Sequence, residues 1–374
     1  MQTPEPTVNY YGGFSARLHQ KCLQHRVPLT GSIELTRRCP LRCLQCYNNL
    51  PLGDRHARAG EMDCGEIRSL LDAIAKEGCL WLLLTGGEIF AREDFFEIYS
   101  HARRKGFLIT LFTNGTLITE QIADALVESP PFSIEITLYG RTRETYEAIT
   151  RVPGSHEQCL QGISRLRERG LPLRLKTMVV TANHHELHRM QRFAEVELGV
   201  GFGYDFMINP RIDGSQGPLR FRLSPEEIVR LDLQDPKRAA EWQRIGCSSG
   251  SALAGDPDAA YHCGGGLDSF AIDPEGRLSL CVLSRKETYD LRKGSFRQGW
   301  EEFLLRVRNR KTERRSRCAA CTIRGLCGMC PANGELESGD PDSPLDFFCR
   351  VAHARANALG MPPAATFQRE GCST

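Results

Sequence analysis

The sequence contains no run of about 18 consecutive apolar residues, the length that a membrane-spanning helix requires. It also has almost no excess of either charge, since 48 Lys and Arg residues against 46 Asp and Glu residues give a net charge of +2. No overall field therefore favours nucleic acid or a membrane surface as a partner. The first eight residues lack the basic start and the apolar run of a signal peptide. We predict a cytoplasmic protein that binds neither nucleic acid nor membrane.

Cysteine, by contrast, is abundant, with 16 residues in a chain of 374. A disulfide framework is typical of small secreted scaffolds in an oxidising compartment, and the sequence indicates neither. In a cytosolic chain, clustered cysteines more often bind metal. The function therefore depends on where the cysteines cluster and how they are spaced.

Strand and helix patterns alternate from Gly31 to about Ile208. Short apolar runs predict strands at 32–35, 80–84, 108–112, 132–138, 173–180 and 202–208. Amphipathic segments predict helices at 63–77, 95–105, 119–127, 157–169 and 186–198. About six such βα units predict an α/β fold, a partial (β/α)6 TIM-like barrel with a parallel sheet. After residue 245 the chain becomes rich in Cys, Gly and Pro, which predicts a small α+β domain. The predicted division is an N-terminal extension (1–30), the barrel with connecting helices (31–245) and the Cys-rich domain (246–374).

The first cysteine group, Cys39, Cys43 and Cys46, directly follows the first predicted strand. Three thiolates at this spacing can hold an iron–sulfur cubane and leave its fourth iron open. An open metal position is what a catalytic site needs, and loops after barrel strands form the active face. The alternative is a structural zinc site completed by a distant residue.

This loop, with Tyr47 after the third cysteine, resembles the signature of radical S-adenosylmethionine (SAM) enzymes. In that family the open iron chelates SAM, and one electron from the cluster generates a 5′-deoxyadenosyl radical. The resemblance implies that the carbonyl of Tyr47 contacts adenine and that Arg151 pairs with the SAM carboxylate. It also implies cofactor-binding roles for residues that follow successive strands: Gly86, Gly87, Glu88, Asn114 and Thr137.

Seven further cysteines lie in the last third of the chain: Cys263, Cys281, Cys318, Cys321, Cys327, Cys330 and Cys349. The segment 270–281 reads as a hairpin that turns at 273–276. Only five residues separate the two Cys-x2-Cys pairs, whereas a zinc ribbon expects about 15 to 20. Compact spacing favours cubane clusters over zinc.

The arrangement resembles the SPASM domain, which carries auxiliary clusters in radical SAM enzymes that modify peptides and proteins. The resemblance implies an outer cluster on Cys318, Cys321, Cys327 and Cys349, and an inner cluster on Cys263, Cys281 and Cys330. The chain would thus hold three [4Fe-4S] clusters together with SAM. Two residues precede Cys330 where the family usually has three. Cys247 is a candidate fourth ligand of the inner cluster; a substrate thiol, another residue or solvent are the alternatives.

These resemblances imply an oxidoreductase that modifies a peptide, for example a ribosomally made precursor, with reduced flavodoxin or ferredoxin as electron donor. Only about 30 residues precede the first predicted strand. We therefore expect either a separate leader-binding protein or direct recognition of the substrate.

Three alternatives remain at this stage. One is radical modification of a small molecule or tetrapyrrole. A second is sulfatase-type protein maturation, in which an aspartate would directly follow the second SPASM cysteine, but Val282 stands there. The third is a non-enzymatic electron carrier or scaffold, which would not need the SAM-binding residues.

Overall fold

The computed structural model describes residues 11–248, 259–312, 318 and 321–361. Its strands are β1 (Thr30–Thr36), β2 (Arg38–Cys39), β3 (Leu50–Pro51), β4 (Trp81–Gly86), β5 (Leu108–Thr113), β6 (Ser133–Thr137), β7 (Leu173–Met178), β8 (Gly201–Asp205), β9 (Ser269–Ile272), β10 (Arg277–Ser279) and β11 (Tyr289–Asp290). β2 and β3 pair with each other, and the other nine form one sheet in the order β11-β10-β9-β1-β4-β5-β6-β7-β8.

Six neighbouring strands of this sheet, β1 and β4 to β8, are parallel, and each pairs with the next along the chain. Helices or helical segments connect them, as right-handed βα crossovers require. The predicted partial (β/α)6 barrel is confirmed. All six predicted strands and all five predicted helices are found, with ends that differ by a few residues.

The helices are α1 (Tyr11–His25), α2 (Arg55–Gly60), α3 (Cys64–Lys76), α4 (Phe95–Arg104), α5 (Glu120–Glu128), α6 (Arg143–Thr150), α7 (Ser155–Glu168), α8 (Leu187–Arg192), α9 (Pro225–Gln234), α10 (Pro236–Ser248), α11 (Phe296–Gln298), α12 (Leu305–Arg308), α13 (Pro331–Ser338) and α14 (Asp346–Ala358). α8 continues as a π-helical turn over Phe193–Leu198. Within the described residues, no helix is long and apolar enough to cross a membrane.

Local sequence signals account for these elements. Asp63 caps α3 through a capping box with Glu66, and the apolar face of the helix is buried against the sheet. β5 alternates between buried and half-buried positions, so Leu111 packs under the helices while Phe112 faces the barrel interior. Because interior side chains do not fill the carboxyl end of the barrel, a cavity opens there.

The Cys-rich region adds to the barrel sheet. The predicted hairpin is present as β9 and β10, and β9 pairs in parallel with β1 on the side away from β4. This pairing brings the segment around Cys281 to the first barrel strand. α10 runs across residue 245, and the predicted domain limits stay a prediction.

Candidate active site

The three cysteines of the first group lie in a loop that the barrel holds by its backbone. Cys39 belongs to the short strand β2, and the amides of Arg42 and Leu44 donate to the carbonyls of Thr150 and Ile149 at the end of α6. Burial raises the pKa of Cys43, and so do the neighbouring thiols of Cys46 and Cys39. The fold therefore brings the three predicted ligands together.

The three thiols line a cavity of about 360 Å³ at the carboxyl ends of the barrel strands. Five further predicted residues line it: Tyr47, Gly86, Gly87, Asn114 and Thr137. Met207, Val282 and Leu283 close another part of its wall. The cavity is thus bordered by both the barrel and the loop after Cys281.

Two glycines, Gly86 at the end of β4 and Gly87 directly after it, allow a close approach to the cysteine loop. The amide of Gly87 donates to the Thr36 carbonyl at 2.7 Å, and a Cβ on Gly87 would lie 2.5 Å from the carbonyl oxygens of Arg37 and Arg38. Gly86 has φ +137°, and its Cβ would lie 2.2 Å from the Thr36 oxygen. Only glycine fits at either position, because the opposing atoms are backbone. Contact of this segment with the SAM amino group stays a prediction.

Glu88 supports the cavity wall from behind. Its buried carboxylate accepts hydrogen bonds from Thr113 Oγ1 (2.7 Å), Asn114 N (2.8 Å) and Phe90 N (3.2 Å). Burial raises the pKa of Glu88 to about 7, and these donors act in the opposite direction. Asn114 Nδ2 in turn lies 3.5 Å from Cys39 Sγ. Glu88 therefore positions Asn114. Asn114 lines the cavity, whereas Glu88 does not.

Two predicted cofactor contacts, those of Tyr47 and Arg151, involve groups that the structure places differently. The Tyr47 carbonyl already accepts a hydrogen bond from Ile212 N at 2.9 Å, which leaves one lone pair for another donor. Arg151 ends α6 with a left-handed backbone, and its side chain is exposed and outside the cavity lining. Its pairing with the SAM carboxylate stays a prediction.

The C-terminal cysteines fall into the two predicted groups. Burial raises the pKa of Cys327 to about 11, and the nearby thiols of Cys349, Cys318 and Cys321 also raise it. Those four, with Cys330, line a second cavity of about 80 Å³. Burial likewise raises the pKa of Cys330, together with the thiols of Cys281 and Cys263. The side chain of Cys247, the candidate fourth inner ligand, lies outside the described residues.

The 14 cysteines whose side chains the structure describes are all free thiols, so no disulfide joins them. Among the described residues, no three His, Cys, Asp or Glu side chains converge closely enough to hold a single metal ion. Ligands of a cubane bind different irons and stand farther apart than ligands of one ion. The three thiols of the cysteine loop and the two C-terminal groups supply donors of the type that such clusters use.

Comparisons with known proteins agree with this geometry. Residues 33–194 match the family model described as "Radical SAM superfamily". The chain is 31% identical over 351 residues to "PqqA peptide cyclase" of Rhodopseudomonas palustris, which covers 88% of this chain and 91% of the relative. The chain belongs to the radical SAM superfamily. It is also 26% identical over 329 residues to "AdoMet-dependent heme synthase" of Methanosarcina barkeri, with 82% of this chain and 92% of that protein covered.

Among solved structures, SuiB of Streptococcus suis bound to its precursor peptide SuiA superposes with a TM-score of 0.68. The superposition covers 93% of this chain and 83% of SuiB at 16% identity, so this likeness shows the fold alone. As a radical SAM enzyme, the chain uses a [4Fe-4S] cluster and SAM. The buried loop of three thiols beside an open cavity fits both groups.

The residues of this site that were not predicted from the sequence include two polar residues of the cavity lining and one buried ion pair. Lys176 lines the cavity from β7, and Gln45 lines it from the cysteine loop. Glu34 and Arg285 form a buried ion pair beside it. The sequence carries no signal for Lys176, because Arg174 and Lys176 alternate with the buried Leu173 and Leu175 as on a strand with one exposed face. The Glu34–Arg285 contact joins residues 251 positions apart, which no local pattern reveals.

Proposed function

We propose that this radical SAM enzyme oxidatively modifies a peptide and holds three [4Fe-4S] clusters, one that binds SAM and two auxiliary ones. The observation that carries the proposal is the grouping of the cysteines: three line the main cavity, and seven form two further groups. Cys39, Cys43 and Cys46 would hold the catalytic cluster. When bound, the cluster and SAM supply a 5′-deoxyadenosyl radical that abstracts a hydrogen atom.

The chain's own residues bind and orient these groups and limit access of water. Asn114, held by Glu88, would fix the position of Cys39, and Thr137 would face SAM. The loop after Cys281 covers part of the cavity with Val282 and Leu283, so an inner auxiliary cluster held by Cys281 would lie beside the space proposed for the substrate. This proximity supports a role for the auxiliary clusters as electron acceptors in a net two-electron oxidation.

A peptide substrate is supported by two relatives whose names specify peptides, the PqqA peptide cyclase and SuiB bound to SuiA. We propose a separate leader-binding protein and reduced flavodoxin or ferredoxin as partners, in the cytoplasm. A second candidate is tetrapyrrole chemistry, which the similarity to haem synthases favours. Sulfatase-type maturation is not proposed, because Val282 lines the cavity where an acidic residue would be needed.

The test uses anaerobically reconstituted enzyme with SAM and dithionite. We expect about twelve irons per chain from three cubane clusters. Replacing Cys39, Cys43 and Cys46 by alanine should remove about a third of this iron and all formation of 5′-deoxyadenosine. Cys64→Ala is the matched control, because Cys64 begins α3 and does not line the cavity. 5′-Deoxyadenosine from the triple variant would show that the catalytic assignment is wrong.

The substrate is tested separately. Peptides encoded by short reading frames beside the gene are co-expressed with the enzyme and examined by mass spectrometry for loss of two hydrogens or a new cross-link. Turnover of a porphyrin with no peptide modified would contradict the peptide proposal and support the tetrapyrrole candidate.

A further inference from the structure

Lys176 reaches the interior of the barrel from the middle of β7. It is the register partner of Thr137 in β6, so the two side chains share the inward face of the sheet. Its ammonium group lies 3.5 Å from Glu135 Oε2 and rests against the ring of Phe112. The side chain is 24% accessible and lines the cavity.

Among the described residues that line this cavity, Lys176 is the only one with a charged side chain apart from the cysteine thiols. The other lining side chains are apolar or carry hydroxyl, amide or phenol groups. Glu135 stands behind Lys176 and does not line the cavity. Lys176 is therefore the one basic group that the described lining of the cavity offers to an anion.

The ion pair with Glu135 leaves Lys176 incompletely satisfied. An ammonium group has three donors, and a separation of 3.5 Å is longer than a charge-assisted hydrogen bond of about 2.7–2.9 Å. Burial lowers the pKa of Lys176 to about 7, against the opposing effect of Glu135. An anion that entered the cavity would complete the coordination of the ammonium group and stabilise its charged form.

We propose that Lys176 binds a carboxylate of the substrate and so fixes which part of the substrate faces the cysteine loop. The inference rests on the proposed function, because it assigns the cavity to substrate as well as to SAM. A carboxylate is common to an acidic peptide side chain and to a tetrapyrrole propionate, so the inference holds for either substrate class. SAM also carries a carboxylate, and Arg151, its predicted partner, lies outside the cavity lining. The SAM carboxylate is therefore the competing ligand for Lys176.

The probe is 4-(trifluoromethyl)benzoate, compared with its neutral counterpart 4-(trifluoromethyl)benzamide. Binding of each to the cluster-loaded enzyme is measured by fluorine NMR in the presence of saturating SAM. We expect the wild type to bind the benzoate about 10- to 100-fold more tightly than the benzamide, as hydrogen bonds to charged groups predict. Lys176→Met and Lys176→Gln should both lose this preference, and Lys176→Arg should keep most of it.

Arg174→Met is the matched control. Arg174 lies two residues earlier on the same face of β7, but it is exposed and does not line the cavity. It is also the register partner of Glu135, so its removal changes the charge near that carboxylate while Lys176 stays in place. This variant should prefer the benzoate as the wild type does.

Two results would overturn the proposal. One is a preference for benzoate that survives in Lys176→Met and Lys176→Gln, given normal iron content. The other is benzoate binding that occurs without SAM and disappears when SAM is added, which would assign Lys176 to the SAM carboxylate. Neither result depends on 5′-deoxyadenosine or peptide modification, so failure here and failure of the proposed function can be told apart.

Discussion

Arg285 pairs with Glu34 across the junction between the Cys-rich region and the first barrel strand. Glu34 is fully buried, and its Oε1 atom also accepts hydrogen bonds from Tyr47 Oη (2.6 Å) and Asn48 Nδ2 (2.7 Å). Asn48 Oδ1 in turn lies 3.6 Å from Cys46 Sγ. One carboxylate therefore connects the cysteine loop with the segment that follows Cys281.

The Arg285→Leu variant should lose about 3–5 kcal/mol in the free energy of unfolding, because it leaves the buried carboxylate of Glu34 without its cation. A double variant, Arg285→Leu with Glu34→Gln, removes both charges and should recover part of that loss. Chemical denaturation of the four proteins of this cycle measures the coupling between the two sites. Additive effects of the two substitutions would contradict a direct interaction.

Much of the barrel could be predicted because its signals are local. The capping box of Asp63 and Glu66 and the apolar face of α3 follow from spacing along the chain. α6 was missed, since two of its four buried residues are Thr145 and Thr150 and its apolar pattern is weak. The pairing of β9 with β1 could not be predicted, because it joins residues more than 200 positions apart.

The site shows the same division. The cysteine groups follow from spacing and resemblance, and the fold brings the described members of each group together. Lys176 and Glu34 become recognisable only when strands from different parts of the chain surround the cavity. Both residues are identified by the burial of their charged groups. A sequence pattern predicts that a strand is buried, but it does not predict which individual side chains of that strand are buried.

The outer cysteine group should be separable from the catalytic loop. A Cys318→Ala/Cys321→Ala variant should lose about four irons per chain, one cubane cluster, and still cleave SAM with dithionite. The reason is that these thiols line a different cavity from Cys39, Cys43 and Cys46. Iron analysis and 5′-deoxyadenosine assays measure the two effects.

A Cys22→Ala/Cys64→Ala variant is the control for that experiment, since neither residue lines either cavity. It should keep all the iron. Complete loss of SAM cleavage in the Cys318→Ala/Cys321→Ala variant would show that the outer group and the catalytic loop are not independent.

Gln45 should lower the stability of the protein without SAM and favour the binding of SAM. It is 6% exposed, and neither its Nε2 nor its Oε1 atom has a hydrogen-bond partner, although the residue lines the cavity. Gln45→Leu should raise the free energy of unfolding without SAM by about 1–3 kcal/mol, the usual penalty of an unpaired buried polar group. It should also weaken SAM binding, measured by equilibrium dialysis. The reason is that a ligand in the cavity is the group that could form hydrogen bonds with the unpaired amide of Gln45.

Asn49 provides the contrast to Gln45. It lines the same cavity, but its Nδ2 donates to the Leu41 carbonyl (3.0 Å) and its Oδ1 accepts from Arg211 (2.9 Å). Asn49→Leu should therefore lower the stability of the protein without SAM. If both leucine variants were destabilised equally, the unpaired amide of Gln45 would not be the cause.

Lys176 should make the stability of the protein depend on pH in a defined window. Its pKa is lowered by burial from the ordinary 10.5 to about 7, so between these values the unfolded chain holds a proton that the folded chain lacks. The free energy of unfolding contributed by this residue therefore rises with pH across the window and is constant below about pH 7.

Lys176→Met removes this contribution. The stability of the variant relative to wild type should thus fall by about 1–2 kcal/mol from pH 7 to pH 9, somewhat less than the full 1.36 kcal/mol per pH unit because the cavity admits water. Urea denaturation at each pH measures it, and Arg174→Met, which leaves Lys176 in place, should follow the wild-type pH profile. A relative stability of Lys176→Met that did not change with pH would show that Lys176 keeps its charge throughout this range.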